Sequence, residues 1–218
     1  MAGNGPYWPT SIDPERPRLI EVRRRGGTAT NQAEHGELEH SSTGRLGGTW
    51  SLHGRSSNRL VGLGIAGQGF GRAPGFRRLP DSLDPLVEFV FDGIPYEETI
   101  GDFGLNLGGA GGFEFDRIDR TEGTPSGTLL LASTVEVSSS FFRAMEHGVG
   151  RGHADPLVRA DMVYLDRGPG SVFGVGSITW TGSLSHNDYK NNVAQISTNV
   201  LNEFVRRGAA PLPNELDV

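Results

Sequence analysis

No cysteine occurs anywhere in the 218 residues. That excludes a thiol nucleophile, a disulfide framework and a thiolate-bound metal, and it fits a reducing, cytoplasmic setting. Long apolar runs are missing too. None approaches the roughly 18–20 residues of a membrane-spanning helix, and the first residues show no basic stretch followed by an apolar one. Positive charge is in deficit, with 20 Lys and Arg against 26 Asp and Glu and a formal net charge of -6. Nucleic acid is therefore not an expected partner. The local run Arg23-Arg24-Arg25, beside Arg16 and Arg18, has no aromatic residues interleaved. It reads as a solvated loop more readily than as a phosphate site. No repeat period is visible that would signal a solenoid.

Glycine is abundant, at 33 residues, and hydrophobic and charged residues make up 35% and 21%. This is the composition of a folded domain, long enough for a core of useful size. Short apolar runs predict strands at 19–22, 60–65, 87–91, 113–116, 129–132 and 162–165, and the last two are continuous enough to suggest buried parallel strands. Residues 138–147 predict a short helix, and 26–50 a long functional or covering loop. The ending is the most regular part. A glycine-containing strand over 171–180 and a polar turn over 182–192 lead to Val193, Ile196, Val200, Leu201, Phe204 and Val205, spaced along one helical face. Arg206 and Arg207 suit the helix C-terminus, and Gly208 suits its stop. The chain reads as the closing part of a larger soluble α/β protein.

Several residue groups could carry chemistry. Gly62-Leu63-Gly64-Ile65-Ala66-Gly67 spells the dinucleotide fingerprint, but Gly69, Gly71 and Pro74 follow where a helix would have to start, so it reads as a glycine-rich β-loop. Of the six histidines, His35, His40, His147 and His153 show no metal-ligand spacing. His186 lies between the last strand and the last helix, the end of a sheet where α/β proteins build sites. Glu114 and Asp116 follow the run from 108 to 112, Gly-Gly-Ala-Gly-Gly, on one strand face. They form either a pair able to serve as acid, base or orienter, or salt bridges to Arg117 or Arg120. Asn4 sits between two glycines, where it either faces a ligand or favours a left-handed turn.

Three stretches resemble the large (beta) subunit of the N,N-dimethylformamidase family: Gly3-Asn4-Gly5 with Tyr7-Trp8, the segment 108–117, and the segment 176–192 beginning Gly176-Ser177-Ile178-Thr179-Trp180. The resemblance covers nearly the whole chain. It implies an α/β fold, three-layer and flavodoxin-like with a mostly parallel sheet, similar to class I glutamine amidotransferases. A β-rich insertion would occupy about 18–92, the domain would run over 1–208, and a tail over 209–218. Asn4 would stand where amidotransferases carry their cysteine, which removes amidotransferase chemistry. The implied activity is hydrolysis of N,N-dimethylformamide, a small amide, to formate and dimethylamine. Asn4 and Glu114 are the implied site residues, orienting the water or the amide, and His186 joins them as a candidate from its position before the last helix. The implied cofactor is a mononuclear iron held by two tyrosines and a glutamate lying ahead of Met1, so no metal is expected within this chain. Expected partners are the upstream part of the same large subunit, a separate small subunit and further copies in an oligomer. A non-catalytic module that supports another domain is the alternative.

Overall fold

Glycine and proline cut this chain into short pieces, and the pieces pair antiparallel. The computed structural model describes residues 6–25, 33–145, 148–149, 155–168 and 170–208. Ser11–Ile12 (β1) and Ile20–Glu21 (β2) form a two-stranded ribbon, and Ser57–Val61 (α1) is a single helical turn. Then come Gly64–Gly69 (β3), Phe76–Arg78 (β4), Glu114–Arg117 (β5), Leu129–Thr134 (β6), Phe141–Met145 (β7), Gly148–Val149 (β8), Asp161–Asp166 (β9) and Ser171–Gly174 (β10). Trp180–Ser183 (α2) and Asn192–Gly208 (α3) are the remaining α-helices among the described residues. Two four-stranded sheets result, in the orders β10-β9-β6-β4 and β5-β3-β7-β8.

Every pairing is antiparallel. The expectation of a mostly parallel, flavodoxin-like three-layer sheet is therefore overturned. Parallel pairing needs a crossover of a dozen or more residues between partners. Here β9 returns directly as β10 through a tight turn, with Arg167 N–H donating to the Gly170 carbonyl at 2.8 Å and Gly168 at φ 77°. The apolar runs in β6 and β9 reported burial correctly, since Leu131, Ala132, Met162, Val163, Tyr164 and Leu165 are all buried. They carried no information on strand direction. Nor is 18–92 an insertion beside the sheets: β3 and β4 supply one strand to each of them.

Other expectations also change. Residues 87–91 are not a strand but the end of the 3-10 helix Pro85–Phe91, which Asp84 caps by accepting from Leu86 N–H at 2.9 Å. Pro85 at the first helical position suits that start, and Val87, Val90 and Phe91 face inward at helical steps. Within 138–147 the chain forms β7 rather than a helix, its Phe141 side chain packing edge-on against Phe115 at 4.7 Å. The strand expected over 171–180 stops at Gly174, and Gly176 takes φ 54°, turning the chain into α2. Residues 60–65 divide at Gly62, which ends α1 at φ 82° before β3 begins. The fingerprint at 62–67 is thus a helix end and a strand, with no helix after it.

The closing helix forms where its spacing predicts, but only part of the expected apolar face is covered. Val193, Ile196 and Val200 are buried, while Leu201 and Val205 stay 63% and 70% exposed. Arg206 and Arg207 both bond Glu203, and Arg207 also donates to the Tyr164 hydroxyl at 2.6 Å. No described helix is long and apolar enough to cross a membrane. The core draws on both sheets, through Phe76, Leu131, Met162, Phe115 and Phe141, and is closed by Trp180, Val193 and Ile196.

One buried carboxylate joins the two sheets. Asp161, fully buried at the start of β9, accepts from the Ser133 hydroxyl on β6 at 2.7 Å and from Ile118 N–H, just past β5, at 3.0 Å. Arg159 donates to it at 2.9 and 3.2 Å. Burial pushes this carboxyl above its ordinary value, and the Arg159 guanidinium with these hydrogen bonds opposes the push. Asp161→Ala leaves the Ile118 N–H and Arg159 without their acceptor. It should cost about 3 kcal/mol of unfolding free energy, read from urea denaturation.

The ribbon is held by a second carboxylate. Glu21 accepts from the backbone N–H groups of Ser41 and Ser42, both serine hydroxyls and Arg23. These bonds hold its carboxyl down at about 2. A depressed carboxylate stabilises the fold above its unfolded value and loses that contribution as pH falls through the folded value. Amide exchange at 11–22 should therefore speed up selectively between pH 4.5 and about 2. Glu21→Gln should show the faster exchange already at neutral pH.

Candidate functional site

The run from Gly101 to Gly112 is irregular, and its backbone hydrogen bonds go to neighbours distant in sequence. Gly101 N–H donates to the Asn192 side-chain oxygen at 3.0 Å, and Ala73 N–H to the Leu107 carbonyl at 2.8 Å. Leu105 N–H reaches the Gly182 carbonyl at 3.0 Å, and Gly111 N–H the Pro74 carbonyl at 2.9 Å. The Ser177 hydroxyl, fully buried, accepts from Gly112 N–H at 2.8 Å and donates to the Ala110 carbonyl at 2.7 Å. Ser183 donates to the Phe103 carbonyl, and Asn192 Nδ2 to Glu98 and the Thr99 carbonyl. The glycine-rich loop is thus laced to the turn between β10 and α3. Glycine is required at 111, because a Cβ there would run into Thr134 and the Pro74 carbonyl.

The loop ends by aiming Glu114. Glu114 N–H donates back to the Gly112 carbonyl at 3.0 Å, with Phe113 at φ 67° between them. A three-residue turn around a bulky residue at positive φ is strained, and such strain collects where a side chain must be presented in one direction. Phe70 steadies Phe113 edge-on at 5.0 Å. Glu114 is half-buried, opposite Gln68 of β3, and Asp116 is buried two residues on. The β3 strand bulges between Ile65 and Gly67 at this point. Arg117 is committed to Asp119 and Arg120 to the Thr124, Pro125 and Thr128 carbonyls.

His186 is exposed, its ring stacked on Phe103 at 4.2 Å. The following residues, Asn187, Asp188 and Tyr189, all take positive φ, between 50° and 63°. Asn191 holds this turn by donating to the Leu184 and His186 carbonyls. His186 and Glu114 therefore sit at opposite ends of one loop, at Phe103 and just past Phe113. Among the described residues no hydrogen bond joins them. Asn4, His147 and His153 lie outside the described residues. His35 is exposed, while His40 is buried with neither ring nitrogen bonded among the described residues, and burial holds its basicity below the ordinary value.

Sequence reasoning missed a cleft of about 240 Å³ on the other side of β5, lined by Tyr7, Trp50, Asn58, Arg117, Asp119 and Arg143. Arg45 and Arg55 lie over the Trp50 ring at 4.7 and 4.9 Å. Burial works against the Asp119 carboxylate, but the Thr121 hydroxyl and Arg117 outweigh it and hold the carboxyl below its ordinary value. Asn58 donates to the Arg117 carbonyl and to Thr124, closing the cleft floor. Its signal was the Ser56–Asn58 helix start, where Ser56 accepts from Asn58 N–H. Nowhere among the described residues do three or more His, Asp or Glu side chains gather as a metal site would require. Of the tyrosines, Tyr164 is buried and bonded to Ser171 and Arg207, and Tyr96 lies beneath Arg78.

The fold and site define an antiparallel β-sheet module that presents a half-buried carboxylate from a strained, glycine-rich loop. Residues 1–192 match the family described as N,N-dimethylformamidase beta subunit-like, C-terminal, and the chain belongs to that family. It is 42% identical over 217 residues to the N,N-dimethylformamidase beta subunit of Alcaligenes sp., covering 97% of this chain and 28% of that protein. It is 41% identical over 218 residues to the subunit of the same name from Paracoccus aminophilus, covering 97% of this chain and 29% of that protein. The chain thus spans under a third of the length of either relative.

The loop's anchoring yields a prediction. Ser177→Ala leaves Gly112 N–H buried without an acceptor and should cost about 2 kcal/mol in denaturant unfolding. Amide exchange should accelerate at 110–114 while β6 and β9 stay protected. Asn192→Ala should do the same at 99–101.

Proposed function

We propose that this chain is the C-terminal portion of an N,N-dimethylformamidase-like amide hydrolase, which converts N,N-dimethylformamide and water to formate and dimethylamine. The identity of 42% and 41% across 97% of the chain carries this reading. A region so alike along its whole length retains the same fold and the same loop presentation. The chain by itself is inactive in this reading, because it spans 28% and 29% of the relatives. The remainder of the large subunit, a separate small subunit and an oligomeric assembly complete the enzyme, in a cytoplasmic setting that the absence of cysteine favours.

Within this portion the proposed site residues are Asn4, Glu114 and His186. Glu114 has the best physical support. Its turn is strained, its loop is anchored at both ends, and a half-buried carboxylate can orient a water molecule or accept its proton. Asn4 offers an amide able to donate to a formyl oxygen and accept from a water, but it has no nucleophile to give. His186, stacked on Phe103, stands at the loop's other end, where an imidazole can exchange protons with solvent. Among the described residues no three His, Asp or Glu side chains gather; the iron of the family pattern would take its ligands from elsewhere in the large subunit, and no step is assigned to it.

The test is formate release by the complete enzyme. Glu114→Gln keeps the size and removes the charge, and should lower kcat by about 100-fold or more with little change in KM. His186→Ala should lower it by about tenfold. Unchanged turnover in Glu114→Gln would remove Glu114 from the site. A complete subunit that does not hydrolyse the amide at all would favour the non-catalytic, supporting module.

A further inference from the structure

The β1–β2 ribbon is built inside out. Opposite residues of an antiparallel pair point to the same side, and neighbours along a strand alternate. Ser11 stands opposite Glu21, and Ile12 opposite Ile20. The polar pair faces the protein: Ser11 bonds Thr43, and Glu21 gathers Ser41, Ser42 and Arg23. Arg23 continues the inward row, its carbonyl taking Gly48 N–H at 2.8 Å. The outward row is Ile12, Ile20 and Val22, with Ile12 and Ile20 58% and 63% exposed. Leu19 beside them is also exposed. A strand in water normally turns its apolar side to the core and its polar side out. A two-stranded ribbon standing alone is marginal, and a row of aliphatic side chains on its open face is unfavourable unless something covers it.

The surroundings state what kind of surface fits. Arg18, Arg24 and Arg25 are exposed at the margins of this face, and no carboxylate among the described residues pairs with them. The complementary surface is therefore apolar at its centre and acidic at its rim. Each relative carries more than twice as much further chain in the same subunit as this chain spans. Parts of one polypeptide meet at high effective concentration, so that further chain is the first candidate to cover an open face.

We infer that the outward face of the β1–β2 ribbon, centred on Ile12, Ile20 and Val22, is the surface on which the remainder of a dimethylformamidase-type large subunit packs. This rests on the reading of the chain as a portion of such a subunit. The face is a contact between parts of one chain, and the arginines at its margin pair with acidic residues across it.

Ile20→Cys and, as an accessible reference, Glu97→Cys are made in the complete large subunit and labelled with a maleimide under native conditions. Modification of the peptides carrying positions 20 and 97 is followed by mass spectrometry. The thiol at position 20 should react about tenfold more slowly than that at position 97, whereas in the 218-residue chain alone the two rates should agree within about threefold. Ile12→Cys repeats the measurement should Ile20→Cys fail to fold. Equal rates in the complete subunit overturn the inference. So does protection of the chain alone that grows with its concentration, which assigns the face to a second copy. Protection that arises only when a small subunit is added also overturns it. Turnover of the amide is measured on the same samples, and protection at position 20 supports the contact whether or not turnover is found.

Discussion

The Asp161 carboxylate is the joint on which this fold depends. It sits where β9 begins, and its partners come from β6 in one sheet and from the residue that follows β5 in the other. Two antiparallel sheets made of such short strands have little ladder bonding to orient them mutually. A buried charge that must satisfy donors from both fixes that orientation, because any slip leaves it uncompensated in a low-dielectric core. Arg159 is what makes the arrangement tolerable, supplying two charge-assisted bonds from the same edge. Phe115 packed on Phe141, and Phe76 packed on Trp180, then fill the space that the polar joint sets.

From that joint the site follows in a short chain of dependence. Asp116 N–H donates to the Gly176 carbonyl, and Phe115 bridges Ser177, so β5 is tied to the segment that leaves β10. Ser177 holds the end of the glycine-rich loop, and Asn192 holds its beginning. The stretch from Gly176 to Asn192 thus serves the loop more than it serves any sheet. Its hydroxyls and amides are the acceptors and donors that an irregular backbone lacks when it is buried.

This explains why the sequence was legible in some places and misleading in others. Burial could be read directly: the apolar runs of β6 and β9 and the Val193–Ile196–Val200 stripe of α3 are where they were expected. Direction could not, because a continuous apolar run reports cover on both faces and not the sense of its neighbour. The resemblance identified the family correctly but carried a parallel-sheet expectation that the antiparallel pairings refute. Phe141 and its neighbours looked helical only until long-range pairing with β3 was available to them. Of the site, the Gly-rich approach to Glu114 was visible as composition. The turn at Phe113 was not, since nothing in a phenylalanine announces a positive φ. Ser177 looked like a strand residue and Asn192 like an ordinary turn residue, and the cleft at Trp50 and Asn58 draws on segments too distant in sequence to be joined by pattern.

Three of the places where local rules are broken differ in kind. Phe113 and the run 187–189 adopt left-handed backbone that bulky residues avoid. Both are over-determined by hydrogen bonds around them, from Gly112 on one side and Asn191 on the other. Strain held in this way keeps one side chain pointed in one direction, which is what a carboxylate or an imidazole serving a substrate requires. The ribbon breaks a different rule. Its backbone is relaxed and its inward face is fully bonded, yet its aliphatic row points outward. No strain is being used there, so side-chain presentation does not explain it, whereas a covering surface does. In the proposed reading the first two departures present Glu114 and His186, and the third marks the face on which the rest of the subunit packs.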